Sequence, residues 1–288
     1  MRPFTYVRPR ALSEVLEMAA SRGPAARILA GGTDVLVRLR MGHMRPDLVI
    51  DIKSAAELSD EIVEMDGIFR IGARVVMTDL MRDARIRAHY SALVEAASVV
   101  GSVQIRNRAT LAGNICNASP AADTAPALLV YGASVNIAGA GGTRRVPLTD
   151  FFTGPGRTIL ALGEIVQSID LPRPAAPAGA AFGRVTRRFG VDLATINLVC
   201  RVDASGETRF AYGAVGPKPF LVTDTRGVLA NPASSADDQR AALRELISAA
   251  SPITDVRGGR DYRLAMLDVM SRRALASATD RLQAAQTS

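Results

Sequence analysis

The sequence predicts a mixed α+β protein of more than one domain. Three features carry that prediction. A strand–glycine–helix passage lies near the N-terminus. An Asp66-Gly67 hairpin signal then opens a longer run of strands and helices. Finally, a proline- and alanine-rich linker, Pro172 to Gly179, precedes a last region of hairpin strands and two helices. At 288 residues the chain is long enough for two domains, or for one large domain and a smaller one. Its 48% hydrophobic and 22% charged residues are ordinary for a globular protein.

The elements follow in order. Leu12, Val15, Leu16 and Ala19 fall at i, i+3, i+4 and i+7, which predicts a helix with one buried stripe. Gly23-Pro24 stops it. A short apolar strand, Arg27 to Ala30, runs into Gly31-Gly32-Thr33-Asp34. A short helix is then read from Val35, Leu36 and Leu39, and a buried strand from Leu48 to Ile52. The segments Glu61–Met65 and Ile68–Gly72 flank Asp66-Gly67, a pair suited to a two-residue β-hairpin loop. A helix is expected from about Ser91 to Gly101. Asn107 to Asp123 is rich in small and polar residues without a clear period, and reads as a long functional loop. Helix and strand resume over Ala125 to Ile137, and Gly139 to Gly142 turns the chain into Thr143–Leu148. Beyond the linker, Ala194–Val202 and Thr208–Val215 form a hairpin around Ser205-Gly206. Helices near Asp237–Ala250 and from Tyr262 into the 280s close the chain.

Composition narrows the function. The net charge of +7 comes almost entirely from arginine, because Lys53 and Lys218 are the only lysines. These arginines are scattered, and aromatic residues that could stack on bases make up only 5%, so nucleic-acid binding is not expected. Two cysteines, Cys116 and Cys200, cannot ligate an iron–sulfur cluster, which needs about four thiolates. His43 and His89 do not make a histidine-rich metal site. No apolar run approaches the roughly 18 to 20 residues that cross a bilayer. The start, MRPFTYVRPRAL, has no apolar stretch of a secretory signal, so a cytoplasmic location is expected.

Two runs could carry chemistry. In Ala30-Gly31-Gly32-Thr33-Asp34, glycines let the backbone approach an anion closely, and successive N–H groups at a helix start can cradle a phosphate. A Gly-Gly pair is also an ordinary turn. The second run is Thr110-Leu111-Ala112-Gly113-Asn114, continuing to Asp123. Thr110 offers a hydroxyl, and Asp123 is placed either to accept from ribose hydroxyls or to cap the helix that follows. Gly139-Ala140-Gly141-Gly142 leads into a strand-like run rather than a helix, so it is read as a hairpin turn and not as a Rossmann loop. No nucleophile–base arrangement is visible, which fits a protein whose cofactor does the chemistry.

Taken in order, the motifs resemble the FAD-binding medium subunits of the molybdenum hydroxylases, of the carbon monoxide dehydrogenase and xanthine dehydrogenase type. The resemblance starts at Phe4-Thr5-Tyr6-Val7-Arg8-Pro9 and runs through Leu29–Asp34 and Gln104–Asn114. It continues with Asp150–Gly156, Gly163-Glu164-Ile165-Val166 and Leu171-Pro172, and so spans nearly the whole chain. It implies a PCMH-type, vanillyl-alcohol-oxidase-like fold in which two α/β subdomains, 1–58 and 59–175, hold FAD in a cleft. A C-terminal α+β domain, 176–288, covers one side. Leu29 and Ala30 to Val35 would form the first diphosphate loop, with Gly31, Gly32, Thr33 and Asp34 at its centre. Thr110, Leu111, Gly113 and Asn114 would form the second. Asp123 matches the ribose-binding acid, Val100 and Val166 match apolar contacts to flavin or adenine, and Arg184 is the candidate basic residue near the flavin. Ala112 departs from the family's frequent Gly-Gly, and alanine favours negative φ.

The resemblance also implies a heterotrimer with a large molybdenum-cofactor subunit and a small 2Fe-2S subunit, assembled as a dimer of heterotrimers. Electrons would pass from the clusters to FAD and on to NAD+, oxygen or a quinone-linked acceptor. A flavin-empty scaffold subunit and a self-contained FAD oxidase are the competing readings. Gly32→Val is expected to place a branched side chain where phosphate sits.

Overall fold

The computed structural model describes residues 2–287. The chain begins with strand β1 (Thr5–Val7) and helix α1 (Leu12–Arg22). Helix α1 buries Val15 and Ala19, with Leu12 and Leu16 against the same core, so the apolar stripe lies where the spacing puts it. Gly23 ends the helix at φ 48°, a left-handed φ that glycine adopts without a Cβ clash. Strand β2 (Ala26–Leu29), helix α2 (Val35–Arg40) and strand β3 (Leu48–Asp51) follow. The strands make a parallel sheet in the order β1-β3-β2, with β3 buried along its length.

Strands β4 (Ile62–Met65) and β5 (Ile68–Gly72) form the expected hairpin, with Asp66 and Gly67 at φ 49° and 73°. Both central residues at positive φ are what a two-residue loop needs to match the strand twist. The helices α3 (Met77–Arg82), α4 (Ala84–His89), α5 (Ser91–Ser98), α6 (Val103–Arg106), α7 (Leu111–Cys116) and α8 (Thr124–Val130) come next. Strands β6 (Ser134–Gly139) and β7 (Gly142–Pro147) pair through Gly139 and Gly142, so the glycine-rich segment is a hairpin turn. Helix α9 (Leu148–Phe151), the small pair β8 (Phe152–Gly154) and β9 (Arg157–Thr158), and β10 (Ile165–Pro172) complete this part. The sheet is antiparallel, ordered β4-β5-β10-β6-β7. Its central strand carries the buried Asp170, which takes two hydrogen bonds from Arg70 at 2.8 and 3.0 Å.

The structure corrects two expectations here. The stretch Asn107 to Asp123 is not a continuous loop, because α7 lies inside it. Thr110 caps that helix, its Oγ1 accepting the N–H of Gly113 at 2.9 Å. A helix of six residues is too short to display an apolar period. The linker is also shorter than read. Strand β10 reaches Pro172, and β11 (Ala178–Val185) already includes Gly179. Pro172 is tolerated because it ends the strand. Gly179 is small for packing: a Cβ there would lie 1.9 Å from the Ala278 carbonyl oxygen.

The C-terminal region is an antiparallel sheet of β11, β12 (Ile196–Asp203), β13 (Thr208–Gly213) and β14 (Phe220–Asp224), in chain order. Helices α10 (Ala236–Ile247) and α11 (Arg260–Thr287) follow, and α11 packs across β11 and β12 over a second core built on Leu198, Phe210, Tyr212 and Leu267. The other face of the sheet meets α8, which is buried at every residue. Ala180, Val199 and Ala211 therefore belong to the core of the preceding region. Glu95 on α5 ties the two together, accepting the Phe182 N–H at 3.1 Å and pairing with Arg281 at 2.6 Å. Among the described residues, no helix is long and apolar enough to cross a membrane.

Candidate functional site

A cleft of about 630 Å³ opens between the parallel sheet and the helices before β6, within the size range of cofactor pockets. Both small-residue runs line it. The first contributes Ala30, Gly31, Gly32, Thr33, Asp34 and Val35, and the second Thr110, Gly113 and Asn114, with Val100 and Val166 on the walls. Thr110 lies 75 positions after Val35 in sequence, yet the first run touches the segment just before the second: a Cβ on Gly31 would sit 1.9 Å from the Arg108 carbonyl oxygen. Only glycine permits that approach.

The first run presents a row of unused donors. Among the described residues, the amide N–H groups of Gly31, Gly32, Thr33 and Asp34 have no acceptor within the protein. Gly31, Gly32 and Thr33 are half-buried. Successive unpaired N–H groups in a concave site suit an anion, because each would otherwise lose part of its hydration without replacement. Gly32 holds φ 80°, which aims its absent Cβ at Leu29 and Leu36, 3.1 and 3.2 Å away. A valine there would strain the backbone and press on those leucines, so the expected blocking of the anion position is corrected.

In the second run, Thr110 Oγ1 accepts from Gly113, which leaves its own hydrogen free to donate. Asn114 Oδ1 accepts from Thr124 Oγ1 at 2.7 Å, fixing the amide at the cleft wall. Ala112 also lines the cleft and lies within α7, where the negative φ that alanine prefers is the helical one. A polar bridge joins the two runs. Arg38 donates to Asn117 Oδ1 at 2.9 Å, and Asn117 Nδ2 donates to Asp34 Oδ1 at 3.3 Å.

Four expected site residues lie outside the cleft lining. Leu29 packs with Leu39 and Val49, and Leu111 is core, its N–H donating to the Val75 carbonyl at 3.1 Å. Asp123 and Arg184 face each other at 3.4 Å where the C-terminal sheet meets α8. Asn197 Nδ2 donates to Asp123 at 2.9 Å, and Arg184 donates to the Val99 carbonyl at 3.2 Å, next to cleft-lining Val100. Burial pushes the Asp123 carboxyl up to about 6, against the opposing pull of Asn197 and Arg184. Its side chain makes no cap hydrogen bond to α8, so the helix-capping alternative does not hold. The Arg184 Nε and Asn197 Oδ1 atoms are buried without hydrogen-bond partners.

Sequence reasoning missed Arg38, Ile105, Ala109, Asn117 and Leu160 in the lining. Asn117 and Ala109 sit within or beside the second run, but nothing local distinguishes them from neighbours that face inward. Cys116 also lines the cleft, and burial pushes its thiol up to about 12, so it stays protonated at neutral pH.

Comparison with known proteins agrees with this geometry. Residues 2–174 match the FAD binding domain in molybdopterin dehydrogenase, and residues 180–278 match the CO dehydrogenase flavoprotein C-terminal domain. The chain is 32% identical over 279 residues to the xanthine dehydrogenase FAD-binding subunit of Escherichia coli O157:H7, covering 95% of each. It is 31% identical to the carbon monoxide dehydrogenase medium chain of Hydrogenophaga pseudoflava, covering 96% of each. A solved carbon monoxide dehydrogenase from Hydrogenophaga pseudoflava superposes with a TM-score of 0.90 at 30% identity, over 97% of this chain and 98% of that one. The chain belongs to the FAD-binding medium subunits of the molybdenum hydroxylases, and is an oxidoreductase component with the fold of that family.

Proposed function

We propose that this chain is the electron-transfer subunit of a cytoplasmic molybdenum hydroxylase, a dimer of heterotrimers. It would take electrons from 2Fe-2S clusters on a small partner and pass them to NAD+, oxygen or a quinone-linked acceptor. Substrate would be hydroxylated at a molybdenum cofactor on a large partner. FAD, when bound, supplies the redox chemistry. The protein's own part is to grip, orient and shield it.

The observation that carries this reading is the row of unpartnered N–H groups from Gly31 to Asp34, on residues that line a cleft the second run closes. Hydrogen bonds from such groups to charged oxygens are worth about 1.5–3 kcal/mol each, enough to hold a diphosphate. Ala30 to Val35, Thr110, Gly113 and Asn114 are assigned to the diphosphate, and Val100 and Val166 to the flat rings. Leu29 and Leu111 support the loops from the core. Asp123 is assigned to a ribose hydroxyl and Arg184 to the flavin end, their ion pair being the contact that a ligand would share. The proposed organisation is two FAD-binding subdomains, 1–58 and 59–175, and a C-terminal domain, 176–288. In its support, the parallel sheet, the five-stranded sheet and the four-stranded sheet each fall in one of these.

The test is to purify the chain with its partner subunits and record its absorbance. Bands in the blue and near-ultraviolet that bleach on reduction are expected. A well-folded complex with no releasable FAD would leave only the scaffold reading. Turnover by the chain alone would favour the self-contained oxidase.

A further inference from the structure

Below the first run lies a small polar network that the cleft lining does not include. Lys53 Nζ sits 2.7 Å from Asp51 Oδ2 and donates to the Ala30 carbonyl at 3.3 Å. Asp51, buried at the end of β3, also accepts from the Lys53 backbone N–H at 3.0 Å and from the Tyr6 hydroxyl. Burial pushes the Asp51 carboxyl up, but the hydrogen bonds from Lys53 and Tyr6 outweigh it and hold the group below the usual carboxylate range. The Lys53 ammonium group thus lies between a buried carboxylate and one backbone carbonyl.

That carbonyl belongs to the same peptide unit as the first unpartnered donor of the anion row. The Ala30–Gly31 peptide is trans, as are all the described peptides, so its C=O and N–H point in opposite directions. A donor on the carbonyl side therefore fixes the Gly31 N–H on the other. Without such a donor this peptide could rotate, since glycine on its C-terminal side accepts either sign of φ.

We infer that Lys53 is a positioning residue for cofactor binding: by holding the Ala30 carbonyl it keeps the Gly31 N–H turned toward the diphosphate. Asp51 largely cancels the lysine's charge, so the effect acts through orientation rather than through a bulk positive potential. The inference rests on the FAD reading above, and it adds a residue that lies outside the cleft lining and reaches it only through the Ala30 carbonyl.

Removing Lys53 alone would strand a buried carboxylate, so the test compares the wild type with the double variant Asp51→Asn/Lys53→Met, which leaves the local net charge unchanged. The full-length chain is stripped of flavin, and dissociation constants are measured for FAD and for ADP, which keeps the diphosphate without the flavin. Relative to the wild type, the double variant should bind both ligands about tenfold more weakly, the cost of misaligning one N–H to a charged oxygen. A change of less than about threefold for FAD overturns the inference, as does weaker FAD binding with ADP unchanged. Wild-type chain that binds no FAD would overturn the FAD reading itself, and this inference with it.

Discussion

Single residues decide whether the cleft can exist. Gly31 meets the Arg108 carbonyl with no room for a methyl group, and the neighbour is backbone, which cannot swing away. Gly31→Ala should therefore push the two runs apart, costing about 1–3 kcal/mol of stability and most of the bound flavin. The flavin-to-protein ratio and the melting temperature check this. A variant loaded like wild type would remove the close approach from the account. Asp123 makes a prediction on pH. Its folded-state pKa is raised to about 6 by burial, above the value of about 4 in an unfolded chain. Its contribution to stability is therefore fully present below about pH 4 and is lost as pH rises through about 6, at most about 3 kcal/mol. Asp123→Asn should flatten this part of the profile in thermal unfolding between pH 4 and 7. An unchanged slope would mean that the carboxyl is better solvated than its surroundings indicate.

At the scale of elements, the short helix α7 carries the second run, and its start depends on one cap. Thr110→Ala removes the acceptor for the Gly113 N–H and should cost about 1 kcal/mol while loosening Asn114 against Thr124. Thr110→Ser, which keeps the hydroxyl, should recover most of that loss by melting temperature. Equal melting of the two variants would show that the cap bond contributes nothing. This element also shows where sequence was readable and where it was not. The hairpin at Asp66-Gly67 was legible because its loop demands positive φ at both positions, and few residue pairs supply it. Helix α1 was legible because four apolar residues repeat over two turns. Helix α7 was not, since its six residues give one turn and a half, and small side chains carry no period. The glycine runs could be seen as candidates, but their contact through Gly31 and Arg108 spans a separation that no local pattern encodes. Lys53 was invisible for the same reason: a lone lysine after a strand says nothing about a carbonyl 23 residues earlier.

The described residues form a continuous packing unit despite their four sheets. Helix α8 is buried on all sides, and Ala180, Val199 and Ala211 of the C-terminal sheet share the core of the preceding region. Calorimetry should therefore show a single cooperative transition, with calorimetric and van't Hoff enthalpies in agreement. Two resolved transitions would mean that the C-terminal region docks rather than co-folds. This joint also explains why Asp123 and Arg184 meet. The surface that covers α8 places a C-terminal arginine against an acid beside the cleft, a proximity that depends on the docking of sheets and not on either motif.

In the proposed function, two runs of small residues close on the diphosphate of one FAD. A structure of the flavin-loaded protein that locates both phosphorus atoms tests it most directly. Phosphate oxygens are expected within hydrogen-bond distance of the Gly31 to Asp34 N–H groups, with Thr110 or Asn114 donating from the other side. Phosphates bound elsewhere, or a cleft left to solvent while flavin sits in another part of the chain, would contradict it.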